Sequence, residues 1–282
     1  MSKPAFSFEF FPVKTEQGHE KLLNTYDELN KLSPSYFSVT YGAGGSTRSR
    51  TLDIVQALNA RGDTEIAPHI SCIGDDKNEI AELLEFYKTL GIKRLVALRG
   101  DLPSGQVGMG ELPFAVDLVK FIREHSGDHF HIEVAAYPEM HPQARSFDLD
   151  IENLVNKYQA GADAAITQFF YNADSYLYLR DRIEKRGIDT VTQPLIAGIM
   201  PITNSSNLMR FADSCGADIP RYVRKQLGDF GDDRKAIREF GFEVVYRLCE
   251  RLINEGVPAM HFYSMNKIEP NKRLVEELGL TT

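Results

Sequence analysis

At 282 residues, with 43% hydrophobic and 26% charged side chains, the chain has the make-up of a globular protein that buries a large core without disulfides or structural metal. Its net charge of −8 and lack of any long Lys/Arg run exclude a surface built to follow a nucleic-acid backbone, and three scattered cysteines (Cys72, Cys215, Cys249) exclude both a disulfide framework and a C-x-x-C metal site. Met1-Ser2-Lys3-Pro4 leads into a strand-like run with no signal-peptide core, and no apolar stretch approaches membrane-spanning length, so a cytoplasmic protein that engages no membrane is expected.

Short β-rich runs then alternate with helical patterns. Ala5–Phe11 is predicted as a strand and Glu16–Leu32 as a helix, with Leu22, Leu23, Tyr26, Leu29 and Leu32 at helical spacing before Ser33-Pro34. Strand Tyr36–Gly42 precedes helix Thr47–Arg61, stopped by Gly62; strand Glu65–Cys72 precedes helix Asn78–Leu90, stopped by Gly91. Strand Ile92–Gly100 runs into a Gly-rich loop through Gly110 and a helix from Pro113 to about His125. His131–Tyr137 and Ala164–Phe170 are strands five and six, followed by helices Asp148–Ala160 (after His131–Tyr137, stopped by Gly161) and Tyr176–Lys185 (stopped by Gly187). Leu195–Met200 precedes a helix from Asn204 to Cys215, an insertion at Ile219–Asp233, and a long helix to Asn254. Ala259–Met265 is strand eight, and a short helix lies near Pro270–Leu278. Connections too long for hairpins require parallel strands with right-handed crossovers, and eight such units predict a single-domain α/β chain folded as a (β/α)8 TIM barrel.

In such a barrel the chemistry sits at the carboxyl ends of the strands. The apolar run Leu95–Leu98 stops in Arg99-Gly100-Asp101, which places Asp101 on that lip; alone, the triplet reads sooner as a surface ion pair closing a turn, and it is the other strand ends that favour a site. The other ends bring Glu9, Thr40-Tyr41, His69, Tyr137 to His141, Gln168 and His261 to Tyr263 toward the same face. Glu9 lies between Phe8 and Phe10 on a strand, where an unpaired buried carboxylate is costly, so it either titrates upward or faces a site, a satisfied core carboxylate being the alternative.

F-E-F-F-P, V-T-Y-G-A, A-P-H-I-S-C, V-A-L-R-G-D-L-P, V-A-A-Y-P-E-M-H-P, A-I-T-Q-F-F, G-I-M-P-I and H-F-Y occur in the order and spacing of methylenetetrahydrofolate reductases of the bacterial type, and this resemblance runs nearly end to end. It implies an FAD-containing barrel that reduces 5,10-methylenetetrahydrofolate to 5-methyltetrahydrofolate with electrons from NADH or NADPH, in a ping-pong order, within one-carbon metabolism and methionine synthesis. It also implies a homo-oligomer, and the chain's end soon after strand eight leads to the expectation of no C-terminal regulatory domain and no inhibition by S-adenosylmethionine.

Residue by residue, Glu9 matches the family's general acid, and Asp101 the carboxylate beside flavin and pterin. Gln168 matches a pterin contact, and Tyr263 and Lys267 fall in the substrate-binding set. Flavin contacts carry over to Thr40, Tyr41, Ala43, His69, Arg99, Gly100, Asp101, Phe114, Ala115, Ala135, Tyr137, His141, Asp150, Asn153 and Lys157. The residue types suit a dinucleotide: Arg99 and Lys157 are cations for a diphosphate, and Asp150 is an acceptor for ribose hydroxyls. Gly42-Ala43-Gly44-Gly45 lacks the spacing of the dinucleotide fingerprint, which a barrel does not use. The chain departs from the family pattern at Phe114 (commonly tyrosine), Ser205 (phenylalanine) and Lys267 (arginine).

His129, His131 and Glu133 alternate like metal ligands but lack a further partner in sequence, so no metal is expected there. Phe169-Phe170-Tyr171 and Tyr176/Tyr178 are expected to pack barrel against helix, and Asp232-Asp233 to cap the helix that follows. Two rivals stand beside the reductase. A proline-dehydrogenase-like flavoenzyme would not need Glu9, Asp101 and Gln168 together, and a non-enzymatic binding barrel would leave the convergent carboxylates unexplained.

Overall fold

The computed structural model describes residues 3–41, 45–62, 64–74, 76–100 and 110–281, side chains 45–48 excepted. Eight parallel strands close on themselves in sequence order: β1 (Ala5–Phe10), β2 (Tyr36–Val39), β3 (Glu65–Ser71), β4 (Arg94–Leu98), β5 (His131–Ala136), β6 (Ala164–Thr167), β7 (Leu195–Ile199) and β8 (Ala259–Tyr263). The helices are α1 (Glu16–Asn30), α2 (Gly45–Asn59), α3 (Lys77–Thr89), α4 (Ala115–Ser126), α5 (Phe147–Gln159), α6 (Ala173–Glu184), α7 (Ser205–Cys215), α8 (Arg221–Asp229), α9 (Arg234–Asn254) and α10 (Asn271–Glu277).

Alternation along each strand divides the side chains between two surroundings. On β1, Phe6, Phe8 and Phe10 face the helices: Phe8 and Phe10 stack on Phe37 of β2 with centroids 5.8 and 5.4 Å apart, and Tyr26 of α1 closes on Phe37 at 4.6 Å. Ser7 and Glu9 therefore point to the barrel axis. Burying this aromatic layer supplies roughly 1.5–3 kcal/mol per side chain before entropy is counted, so β1 is fixed with Glu9 turned inward.

The predicted helix stops at Gly62, Gly91, Gly161 and Gly187 all adopt positive φ. Strand ends are shorter than expected. β2 stops at Val39 instead of Gly42 and β6 at Thr167 instead of Phe170, because the ladders with their neighbours end there. β4 stops at Leu98, and Gly100, with φ of 84°, turns the chain out of the ladder. The predicted insertion at Ile219–Asp233 contains α8, whose Val223 and Leu227 are buried one turn apart. Asp233 caps α9, accepting from the N–H groups of Lys235 and Ala236, both at 3.0 Å. Among the described residues no helix is long and apolar enough to cross a membrane.

Candidate active site

Strand register builds the mouth of the barrel. Glu9 is level with Ser38 on one side and Tyr263 on the other, and Ser7 with His261. Glu9 Oε2 lies 3.3 Å from Nε2 of His69 on β3 and 3.7 Å from Nε2 of His261 on β8. The His69 contact is out of line for a hydrogen bond. Burial alone would raise the Glu9 carboxyl, but His261 and His69 outweigh it and bring its pKa down to about 2. His261 is fully buried, its Nδ1 2.6 Å from the Ser7 hydroxyl and its Nε2 3.1 Å from that of Ser38.

A second feature begins at the end of β4. The Arg99 carbonyl accepts from Ile73 N (2.9 Å) and Ser71 Oγ (2.8 Å), pinning the turn to β3. Beyond it opens a cleft of about 440 Å³ lined by Arg99, Gly100, Phe114, Ala115, Ala135, Tyr137, His141, Asp150, Asn153 and Lys157, ten of the predicted flavin contacts. Asp150, Asn153 and Lys157 stand one helical turn apart on one face of α5. α4 starts at the same cleft, and its N-cap Phe114 has no side-chain acceptor to offer the first-turn N–H groups, its carbonyl accepting from Asp117 N–H at 3.0 Å and Leu118 N–H at 3.2 Å.

Lys157 Nζ donates to the Ala135 carbonyl, and desolvation lowers its pKa to about 8 despite Asp150 nearby. A half-buried ammonium, a guanidinium and an open helix N-terminus around one cleft fit a diphosphate; Asp150 and Asn153 fit ribose hydroxyls. The donor set thus suits a dinucleotide such as FAD. β3 joins cleft and acid, because Ser71 touches the β4 lip while His69, two residues earlier, touches Glu9.

The other predicted residues distribute around these two features. Tyr137 and His141 pack edge to face at 4.5 Å, and the His141 N–H donates to Asp150 Oδ2 at 2.8 Å. Thr40 donates its N–H to the Phe10 carbonyl at 2.9 Å, and Tyr41 is half-buried against the core. Phe114 is 52% exposed at the cleft mouth. Gln168 is half-buried after β6, its side-chain oxygen accepting from Phe169 N–H at 3.0 Å. The Tyr263 hydroxyl donates to the Thr167 carbonyl at 2.7 Å across β7, where only glycine at 198 leaves room for the ring. Burial and the Glu9 charge hold that hydroxyl protonated. Lys267 stands apart, exposed, with Nζ donating to Thr203 Oγ1 at 3.1 Å. Asp101 and Ala43 lie outside the described residues.

Glu133 has a different role from the ligand-like pattern in the sequence. It is wholly buried near the amino ends of the strands, accepting from Arg94 Nη1 and the Tyr36 hydroxyl, both at 2.7 Å, while His131 stays 3.8 Å away. Among the described residues no group of three or more His, Cys, Asp or Glu could hold a metal. Phe170 and Tyr176 stack in the core as expected, but Tyr178 is 49% exposed and stacks on Phe147 between α5 and α6. In the sequence His261 stands out only as part of a strand end; its period-two spacing from Tyr263, with Ser7 and Glu9 alternating likewise on β1, is the signal that marks it.

The family model described as methylenetetrahydrofolate reductase matches residues 1–279. The chain is 39% identical over 274 residues to the 5,10-methylenetetrahydrofolate reductase of Escherichia coli (strain K12), covering 97% of this chain and 90% of that protein. It is 35% identical over 291 residues to methylenetetrahydrofolate reductase (NADH) 1 of Zea mays, covering 99% of this chain and 49% of that one. Among solved structures, a Clostridium thermocellum protein described as binding two copies of 5-methyl-5,6,7,8-tetrahydrofolic acid aligns with a TM-score of 0.63 at 16% identity, over 98% of this chain and 93% of that one, a likeness of fold alone.

Proposed function

The chain belongs to the methylenetetrahydrofolate reductase family, and on that premise we propose that it reduces 5,10-methylenetetrahydrofolate to 5-methyltetrahydrofolate with electrons from a reduced nicotinamide, using FAD held in the β4–β5 cleft. The observation that supports this most is the pairing of a carboxylate between two histidines in the barrel mouth with a cation-lined cleft joined to it through β3. The names of plant relatives favour NADH over NADPH as donor. A proline oxidase or a binding barrel accounts for the cleft but not for Glu9. The remaining parts of the reading are one barrel domain spanning the chain, a cytoplasmic location and a homo-oligomeric state.

When bound, FAD supplies a two-electron store that the nicotinamide fills and the folate empties in turn. Arg99, Lys157 and the first turn of α4 hold its diphosphate; Asp150 and Asn153 hold hydroxyl groups; Tyr137, His141, Ala135, Phe114 and Gly100 line the walls. Glu9 delivers a proton to N10 of the folate, so that the five-membered ring opens to a 5-iminium cation. Asp101 is assigned by its motif to the stabilisation of that cation. Gln168, by its motif, would contact the pterin, and Tyr263 and Lys267 complete the substrate-binding set.

Glu9→Gln keeps shape and loses the proton. A positioned general acid contributes about 10²–10⁴-fold, so stopped-flow flavin absorbance should show reduction by NADH nearly intact. Reoxidation by methylenetetrahydrofolate should be at least about a hundredfold slower. Equal slowing of both steps, or of neither, would remove Glu9 as the acid.

A further inference from the structure

The reductase reading asks Glu9 to give up a proton, yet His261 and His69 outweigh burial and hold its pKa down to about 2. We propose that His261 is the positioning residue that loads Glu9: its imidazolium passes the Nε2 proton to Glu9 when bound folate and flavin shut water out of the barrel mouth. This rests on the assignment of Glu9 as the acid.

Geometry equips His261 for this transfer. It is 0% exposed, one layer below Glu9, with Nε2 3.7 Å from Glu9 Oε2. Both ring nitrogens meet hydroxyls, Ser7 at 2.6 Å and Ser38 at 3.1 Å. A hydroxyl both accepts and donates, so the ring keeps its partners whether or not it carries the extra proton. An imidazole wedged between carbonyls would favour the charged form only. The Tyr36 ring stacks on His261 at 5.6 Å and that of Tyr263 meets it edge-on at 5.6 Å, which keeps the imidazole in place through the transfer.

The step balances within the pair. The N–H bond at His261 Nε2 breaks and an O–H bond forms at Glu9 Oε2; an ion pair becomes a neutral pair, with no change in total charge. Removing water penalises the charged pair and leaves the neutral one, which sets the direction of transfer when the mouth closes. Glu9 then gives that proton to N10, and the pair regains one from solvent after product leaves.

The other ionisable groups facing the pair are His69 from β3, Tyr263 from β8 and, one layer lower, Tyr36 with Glu133 and Arg94. Tyr263 and Tyr36 stay protonated through burial. Glu133 is occupied by Arg94. His69 is the competing proton source, since it is closer to Glu9 (3.3 Å against 3.7 Å for His261) and neither contact is a hydrogen bond; what sets His261 apart is the hydroxyl at its Nε2, which His69 lacks.

The test is the pH profile of the folate half-reaction in holoenzyme, for wild type, His261→Gln, His69→Gln and Glu9→Gln. Two groups sharing a proton titrate as a pair, so removing His261 should move the basic limb of that profile toward acid by at least about one pH unit, with flavin reduction by NADH unmoved. Ser7→Ala, which keeps the imidazole but strips its Nδ1 partner, should move the limb the same way by less, and serves if His261→Gln does not fold. Infrared difference spectra on adding 5-methyltetrahydrofolate give a readout without turnover: a protonated-carboxyl band in wild type, lost in Glu9→Gln and weakened in His261→Gln.

A limb that stays in place in His261→Gln and Ser7→Ala, or shifts only in His69→Gln, would overturn the proposal while leaving Glu9 as the acid. Full folate activity in Glu9→Gln would overturn the underlying assignment instead.

Discussion

The hydroxyl of Tyr36 donates to Oε2 of Glu133 at 2.7 Å across the amino-terminal half of the barrel, while Arg94 holds the other carboxylate oxygen at 2.7 Å and spans onward to Glu65 at 2.9 Å. Arg94 also lies 4.6 Å above the Tyr36 ring, so one tyrosine serves the network with its hydroxyl and its face. Tyr36→Phe keeps the face and loses one bond to a charged group, a cost of about 1.5–3 kcal/mol. Arg94→Met strands a buried carboxylate and should cost about 3–5 kcal/mol. Urea denaturation of both variants measures the two losses, and FAD uptake should be unchanged. A larger loss in Tyr36→Phe than in Arg94→Met would make the hydroxyl, rather than the guanidinium, the main partner of Glu133.

Lys157 links cofactor binding to protons. Folded, it gives up its proton near pH 8, against an ordinary 10.5. The unfolded chain therefore holds more protons between those values, and stability of the ligand-free protein should rise with pH across that window. A diphosphate in the cleft prefers the ammonium, so FAD binding should take up a proton above about pH 8, and affinity should fall as pH rises from there. Lys157→Met should weaken FAD by about 10- to 100-fold at pH 7 and flatten the pH dependence. Fluorescence titration of FAD from pH 6.5 to 9.5 reports both. An unchanged slope in the variant would move the diphosphate away from Lys157.

Gly100 is the third test. At φ 84° a side chain is strained, and a Cβ built there would stand 2.0 Å from Ser71 Oγ, the hydroxyl that fastens the Arg99 carbonyl. Gly100→Ala should lower stability by about 1–3 kcal/mol through the backbone alone and loosen FAD further by displacing Arg99. Adding Ser71→Gly removes the collision but not the strain, so thermal unfolding should recover in part. Full recovery would place the whole effect in the collision.

The barrel was legible because β-rich runs, helical spacing and glycine stops agree over the whole length. α8 was not, since Val223 and Leu227 are its only buried positions and two apolar residues among charges make a weak periodic signal. On the site, Asp150, Asn153 and Lys157 are spaced to share a helix face, and the motifs name the rest of the cleft. The partners of Glu133 could not be foreseen: Tyr36, Arg94 and Glu65 begin three different strands, and only barrel closure brings them to the carboxylate. For the same reason Glu9 looked like an acid in the sequence, while the two histidines that lower its pKa come from β3 and β8.

The two halves of the site also differ in how they come into being during folding. The cleft is drawn from one continuous stretch between Ala97 and Lys157, so its contacts are local in the chain and close short loops. The Ser7–His261 bond spans 254 residues and joins the first strand to the eighth, the longest loop the topology has to close. A folding chain can thus shape the cofactor cleft while the first and last strands are still apart, and the proton-handling centre is assembled only by the contact that seals the barrel.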